Sequence, residues 1–125
     1  MKKLVTSITI LFLLFLSSLI LGEESKNKVF KEITVHDFME DYLEVAEKKY
    51  KKDKKQNKEQ FEKLIKAIPS MATQDSKEKW QEIVDKYVES GDLLKSCKAC
   101  HKKFKKPYKK IYRKRLVPVD ASLLE

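Results

Sequence analysis

The feature that most restricts the fold of this chain is its shortage of residues that break helices. Between residues 34 and 115 there is one glycine, Gly91, and there are two prolines, Pro69 and Pro107. No stretch alternates apolar and polar residues for long enough to indicate a sheet. With 125 residues, the chain is long enough for a single domain. The sequence therefore predicts one all-α domain.

The first two predicted helices occupy the segment before Pro69. Thr34 followed by Asp37 fits a capping box, so the first helix starts at Thr34. The lysine-rich run "KKYKKDKK" ends that helix. A second helix is predicted from Asn57, with apolar residues at helical spacing, and Pro69 closes it.

The last two predicted helices lie on either side of Gly91. Asp75 begins the third helix, and Gly91 fits the C′ position at its end. Asp92 can cap the fourth helix, in which Pro107 predicts a kink or a break. Four helices with short connections predict an up-down-up-down four-helix bundle over residues 34–116.

The two ends of the chain are predicted to lie outside this bundle. "MKK" followed by an apolar run to residue 21 indicates an export signal peptide over residues 1–22. An uncleaved membrane anchor is the alternative, because 18 apolar residues are about the minimum for a span. Residues 23–33 are predicted to be a polar lead-in, and residues 117–125 a loosely ordered tail. Export places the domain in an oxidising compartment, most simply the periplasm.

The chemistry of the chain is concentrated in "SCKACHKKF", residues 96–104. Its only cysteines, Cys97 and Cys100, are three residues apart, and His101 follows. A disulfide within one helix would close a very small loop and stabilise little. A redox dithiol is typical of a βαβ unit. A zinc site would need Cys97, Cys100, His101 and His36, and adjacent Cys100 and His101 are awkward ligands for one ion.

The fourth interpretation, a covalently attached haem c, explains the spacing best. The pattern C-x-x-C-H is the attachment site of c-type haem. Two thiols three residues apart on a helix can reach the two vinyl groups of one haem edge, and the next residue directs its imidazole to the iron. Phe104 and Tyr108 follow on the same face and are expected to pack along the porphyrin. Maturation would require haem-ligation machinery in the export compartment.

A C-x-x-C-H in the last helix of a four-helix bundle resembles the superfamily of cytochrome c′, cytochrome c556 and cytochrome b562. The residues that carry the resemblance are "CKACHKKFKKPYKKIYR" and, more weakly, "VHDFMEDYLE" in the first helix. The resemblance implies that His101 is the proximal iron ligand and that Met39 is the sixth ligand, with Phe38 and Tyr42 packing near the haem. The family's arginine after the motif is Lys105 here, so Lys105, Lys109 or Arg113 would pair with the propionates.

A level argument, which compares the heights of residues along the bundle axis, also favours Met39. Met39 lies about 7.5 Å past Thr34, and His101 lies about 9 Å before Pro107, at the helical rise. The two levels match if close packing ends at Pro107. His36 and Met71 are the other candidates for the sixth ligand, and an open site is the remaining alternative.

The sixth ligand decides between two functions. With His and Met both bound, the protein is expected to be an exported single-electron carrier. With the site open, it is expected to bind NO or CO as five-coordinate cytochromes c′ do. We expect no enzymatic activity, because no distal acid–base pair is evident.

The charge distribution predicts the kind of partner. The formal net charge is +9, and the stretch from Lys95 to Arg115 contains 11 basic residues and no acid. Such a positive face suits an acidic redox protein. An exported protein rarely meets nucleic acid, and membrane contact is expected only if residues 1–22 remain attached.

Overall fold

The computed structural model describes residues 27–125, so the predicted signal peptide lies outside the described residues. The described part is mostly helical and has four helices, as the sequence predicted. Helix α1 covers residues 35–52 in three consecutive segments, Val35–Asp37, Phe38–Leu43 and Glu44–Lys52. The next two helices are α2, Lys54–Ala67, and α3, Gln74–Glu89. Helix α4 covers residues 93–112 as Leu93–Pro107 and Tyr108–Tyr112.

Most of the predicted helix ends are confirmed. Thr34 is the N-cap of α1, and its hydroxyl accepts a hydrogen bond from the backbone N–H of Asp37 at 3.0 Å. Gly91 adopts a φ of 75° after α3, a conformation that favours glycine. The predicted start of α2 is wrong by one turn. Asp53 caps that helix, because its carboxylate accepts a hydrogen bond from the backbone N–H of Gln56. This cap was missed because Asp53 lies within the lysine-rich run.

Helix α4 continues past Pro107 without ending, and this corrects the level argument. Proline removes one backbone hydrogen bond, and the helix responds by widening into a π turn, where Arg113 N–H donates to the carbonyl of Tyr108 at 3.0 Å. A second π turn lies in α1, where Glu44 N–H donates to the carbonyl of Met39. Close packing continues to Tyr112, which is 1% exposed.

The expectation of no sheet is wrong, because the two ends of the domain pair as an antiparallel ribbon. Strand β1, Phe30–Thr34, joins strand β2, Leu116–Asp120, with Ile33 opposite Val117. Residues predicted as a polar lead-in and a loose tail therefore form structure. The cause is the alternation of side chains, which buries Ile33, Val117 and Val119 and exposes the residues between them. Five-residue strands are too short for the pattern to stand out in the sequence.

One apolar core joins the helices and the ribbon. Its side chains come from every helix and both strands, with the tightest packing around Phe38, Phe61 and Val84, each 0% exposed. No helix within residues 27–125 is long and apolar enough to cross a membrane.

Candidate functional site

A cavity of about 600 Å³ opens between α1 and α4. Its floor is formed by Ile68, Trp80 and Val84, which come from the middle of the core. The two helices form the walls. Ligand pockets in proteins measure roughly 300–1,000 Å³, so this cavity has the size of a binding site for an organic cofactor.

The α4 wall carries the whole C-x-x-C-H motif. Cys97, Cys100 and His101 all line the cavity, so one helix brings the three residues to the same space. The two cysteines are half-buried and are not joined by a disulfide. His101 is exposed at the mouth. The motif therefore lies on the surface of the cavity.

The local environment keeps both thiols protonated. Burial, and to a smaller extent Glu47, raise the pKa of Cys97. Burial and the neighbouring Cys97 raise the pKa of Cys100 to about 11. A dithiol oxidoreductase lowers the pKa of its attacking cysteine so that the thiolate forms near neutral pH. This environment raises both pKa values instead. It therefore favours haem attachment over a redox dithiol as the role of the two thiols.

The α1 wall brings two of the predicted sixth-ligand candidates to the cavity and leaves the third outside. His36 and Met39 line the cavity together with Leu43, which is 7% exposed. Met71 is 1% exposed and lies in the core. Of the first-helix aromatic residues predicted to pack on the haem, neither lines this cavity. Phe38 is in the core, and Tyr42 lines a smaller pocket beside the C-terminal residues.

The aromatic residues predicted on α4 are both at the cavity. Phe104 and Tyr108 line it, and Phe104 packs against Trp80 with ring centroids 5.4 Å apart. The Tyr108 hydroxyl is 3.3 Å from Nδ1 of His36, across the space between the helices. Trp80 was not among the residues predicted to contact the haem. The only feature of the sequence that distinguishes Trp80 from other core residues is that it is the single tryptophan of the chain.

The charged residues around the cavity differ between its walls. On α1, Lys48 pairs with Glu44 at 2.7 Å and Lys51 pairs with Glu47 at 2.6 Å. His36 Nε2 lies 3.4 Å from a carboxylate oxygen of Glu40 on the same wall. Glu44 and Glu47 thus have lysine partners on the same helix that offset their charge.

The α4 wall has basic residues without such partners. Lys105, Lys109 and Arg113 line the cavity at intervals of four residues, so they share one side of the helix. None of them makes a salt bridge within residues 27–125 (the ion pairs there involve other residues). This wall therefore favours a ligand that carries carboxylates.

The residues present fit a haem c. The cavity has a suitable size, two free thiols and an imidazole lie on one wall, and unpaired cations stand beside them. Within the described residues, no three His, Cys, Asp or Glu side chains gather as they would around a bare metal ion. A haem iron needs no such cluster, because the porphyrin supplies its other ligands.

Comparison of the chain with models of known protein families, with curated proteins and with solved structures finds no match. The resemblance to the cytochrome c′ superfamily therefore depends on the motif and its setting.

Proposed function

We propose that this protein is a monohaem c-type cytochrome that carries single electrons after export. The observation that carries the proposal is the placement of Cys97, Cys100 and His101 together on one wall of a cavity of about 600 Å³. A bare C-x-x-C-H could occur by chance on any surface. Here the motif faces a mostly apolar cavity between two helices, which supports the cofactor interpretation.

Each residue of the motif has a distinct proposed role. Cys97 and Cys100 would form the thioether bonds, and His101 would donate its imidazole to the iron. The haem, when bound, supplies an iron that changes oxidation state by one electron. The half-buried Phe104 and the buried Trp80 beside the cavity would help to keep water from the porphyrin.

For the electron carrier, Met39 is the proposed sixth ligand, since it lines the wall opposite the motif. Thioether ligation leaves no free position on the iron and favours the ferrous state. The contacts between α1 and α4 allow the distance between Met39 and the level of His101 to be estimated along the helix axis. His36 contacts Tyr108, while Glu47 and Lys51 lie close enough to Cys97 to affect its pKa.

These contacts support an antiparallel arrangement of α1 and α4. Counting at equal rise from the pair of His36 and Tyr108, His101 lies level with Leu43, and Met39 lies about 6 Å away along the helix axis. This offset arises because α4 remains packed beyond Pro107. Leu43 has no atom that can bind iron.

This register favours a second candidate function, a five-coordinate haem protein that binds NO or CO. In that arrangement Leu43 would face the open side of the iron, and Met39 would be a core residue. Methionine on an apolar helix face is most often core filler. The two candidates share every residue of the attachment site and differ only at the sixth position.

Absorption spectra of the haem-loaded protein test both candidates. The electron carrier predicts a ferric band characteristic of methionine ligation and sharp ferrous bands that CO does not change. The gas-binding protein predicts a high-spin spectrum that shifts with CO. A protein without covalent haem, after expression in a periplasm that contains haem-ligation machinery, would contradict both.

A further inference from the structure

The outer face of the ribbon formed by β1 and β2 carries exposed apolar side chains. Residues opposite each other in an antiparallel pair point to the same side, and the side that includes Ile33 and Val117 packs on the core. The other side carries Phe30 and Leu116, which are 58% and 61% exposed, with the exposed Pro118 at a level between them. Exposed apolar residues gathered on one face are typical of an interaction surface.

Two further exposed apolar residues adjoin this face. Val29 directly precedes β1, and its carbonyl accepts a hydrogen bond from the N–H of Ala121 at 2.8 Å. Ile111 lies in the last turn of α4, five residues before Leu116. The only other large apolar side chain that is exposed within residues 27–125 is Val45 on α1. Exposed apolar surface is therefore concentrated at the ribbon and the turns beside it.

Exposed basic residues surround these apolar side chains. Within residues 28–34 and 114–120 they are Lys28, Lys31, Lys114 and Arg115. None of the four forms a salt bridge within the described part of the chain. The acids of the same two segments are Glu32 and Asp120, and Asp120 already accepts hydrogen bonds from the N–H and the hydroxyl of Ser122. Positive charge thus predominates around the apolar face.

The sequence before the ribbon contains an apolar run. The structure describes the chain from residue 27, and β1 begins at Phe30. The uncharged, mostly apolar run over residues 4–21 ends nine positions before Phe30. Nine residues of chain can reach no further than about 32 Å. Where this run remains in a bilayer, the start of β1 is therefore held close to the lipid headgroups.

We propose that this ribbon face, made of Phe30, Leu116 and Pro118 with the four basic residues named above, binds the surface of a bilayer that contains anionic phospholipids. The apolar side chains would enter the headgroup region, and the cations would pair with lipid phosphates. Apolar contact combined with a cluster of cations is what holds peripheral proteins on anionic membranes. Such binding requires no haem and adds to the proposed electron transfer. It also places the domain itself, and not residues 1–22 alone, on the membrane.

A second copy of the chain fits the ribbon face less well. In a two-fold symmetric dimer the same patch meets itself, so the four cations of one copy would lie against the four cations of the other. Like charges brought together across an interface cost free energy. Lipid phosphates offset this charge instead, so the observations favour the bilayer.

The first test compares the reactivity of surface lysines with and without vesicles. The purified protein is mixed with vesicles of phosphatidylcholine, either alone or with phosphatidylglycerol, and acetylation by an N-hydroxysuccinimide ester is mapped by mass spectrometry. We expect Lys28, Lys31 and Lys114 to react several-fold more slowly on the anionic vesicles only. Lys54 and Lys58, exposed on α2, are the matched controls and should keep their rates.

This measurement gives the same information whether or not residues 1–22 remain attached, because it reports which face meets the lipid. Equal protection on both kinds of vesicle, or equal protection of α2, would overturn the inference. Protection by soluble polyglutamate but not by vesicles would also overturn it and would assign the face to an acidic protein.

A pair of substitutions tests the apolar part of the face. Phe30→Ser together with Leu116→Ser should remove most of the protection of Lys31 on anionic vesicles. Both side chains are largely exposed in the free protein, so their loss leaves the core intact. Val45→Ser removes an exposed apolar side chain elsewhere and should leave the protection unchanged. Full protection in the double variant would refute the contribution of the apolar residues to membrane binding.

A second pair tests the cations. Lys114→Gln together with Arg115→Gln should raise the ratio of free to protected Lys31 about fivefold for each cation removed. Added salt should weaken the protection of the wild type, because ions screen exposed charges. Lys54→Gln together with Lys55→Gln lowers the net charge equally and should have little effect. Equal effects of the two pairs would refute a specific role of the ribbon cations.

Discussion

The imidazole of His36 lies 3.3 Å from the hydroxyl of Tyr108, and this pair joins the first turn of α1 to the π turn of α4. Close by, the backbone N–H of Val35 donates to the carbonyl of Arg115 at 3.0 Å. Together the two contacts join the start of α1 to the end of α4. They also fix which residues of α1 stand opposite the C-x-x-C-H motif.

The hydrogen bond between His36 and Tyr108 should contribute measurably to stability. Tyr108→Phe removes the hydroxyl and keeps the ring, so we expect unfolding to become easier by about 0.5–1.5 kcal/mol. Urea denaturation of the haem-free protein measures this difference. Tyr87→Phe is the matched control, because no hydrogen bond to the Tyr87 hydroxyl is present within residues 27–125. Equal stability of the two variants would mean that the contact has no net effect.

The two thiols of the haem-free protein should react slowly at neutral pH. Burial raises the pKa of Cys100 to about 11, whereas a free cysteine has a pKa of about 8.5. At pH 8 we expect the Cys100 thiol of the folded protein to be alkylated about a hundred-fold more slowly than in the urea-unfolded chain. Reaction rates measured from pH 7 to 11 should rise over the whole range. A plateau below pH 8 would support the dithiol interpretation instead.

The same shift predicts how stability depends on pH. A raised pKa in the folded state means that the unfolded chain loses its thiol protons first. The contribution to stability is therefore complete below the unfolded thiol pKa of about 8.5, and it is lost as pH rises from there through the folded pKa of about 11 of Cys100. Urea denaturation of the haem-free protein at pH 7 and pH 10 should show this loss. A Cys97→Ala, Cys100→Ala variant should show less of it.

The sequence predicted the parts of the structure that depend on local chemistry. The cap at Thr34, the turn at Gly91 and the clustering of Cys97, Cys100 and His101 on one face all follow from spacing along one helix. The ribbon of β1 and β2 was missed because it joins residues about 85 positions apart, and pairing over such a distance leaves no periodic signal in short strands.

The sequence also could not predict the register across the cavity, that is, which residues of α1 lie level with which residues of α4. The level argument for Met39 required close packing to end at Pro107, which is the usual effect of proline in a helix. The structure instead continues α4 past Pro107 as a π turn. In the register that we propose from the contact of His36 with Tyr108, His101 is level with Leu43. The sequence also gave no sign that Trp80 lines the cavity, because a buried tryptophan on an apolar helix face resembles any core residue.

Loss of both cysteines should abolish covalent haem. In the proposal, Cys97 and Cys100 are the only side chains that form thioether bonds. Protein carrying Cys97→Ala and Cys100→Ala should have the mass of the bare polypeptide after denaturation, whereas the wild type should carry the added mass of one haem. Met71→Leu, in the core, is a control that keeps the motif. Covalent haem in the double variant would contradict the assignment.

A reciprocal pair of substitutions tests the sixth ligand. Met39→Leu removes the thioether with little change in volume, which usually costs less than 1.5 kcal/mol of stability. For the electron carrier, this variant should become high-spin and bind CO, while Leu43→Met should leave the spectrum low-spin. For the gas-binding protein, Met39→Leu should change nothing, and Leu43→Met should convert a high-spin spectrum to a low-spin one. Absorption spectra of the wild type and the two variants separate these patterns.

The basic face of α4 should make electron transfer sensitive to ionic strength. Lys102, Lys106 and Lys110 are exposed and lie outside the cavity lining, so they can be changed without altering the proposed haem contacts. Negatively charged hexacyanoferrate(III) should oxidise the ferrous protein more slowly as salt rises, because the Debye length falls to about 10 Å at 0.1 M. Changing the three lysines to glutamate should lower the rate at low salt and flatten its dependence on salt.

The matched control changes the same number of charges on another helix. Lys54, Lys55 and Lys58 of α2 are exposed, and their replacement by glutamate gives the same net charge. If the docking surface is the α4 face, the α2 variant should keep a rate and a salt dependence close to those of the wild type. Equal effects of the two triple variants would indicate that net charge alone steers the oxidant. The prediction that an acidic partner docks on the α4 face would then be wrong.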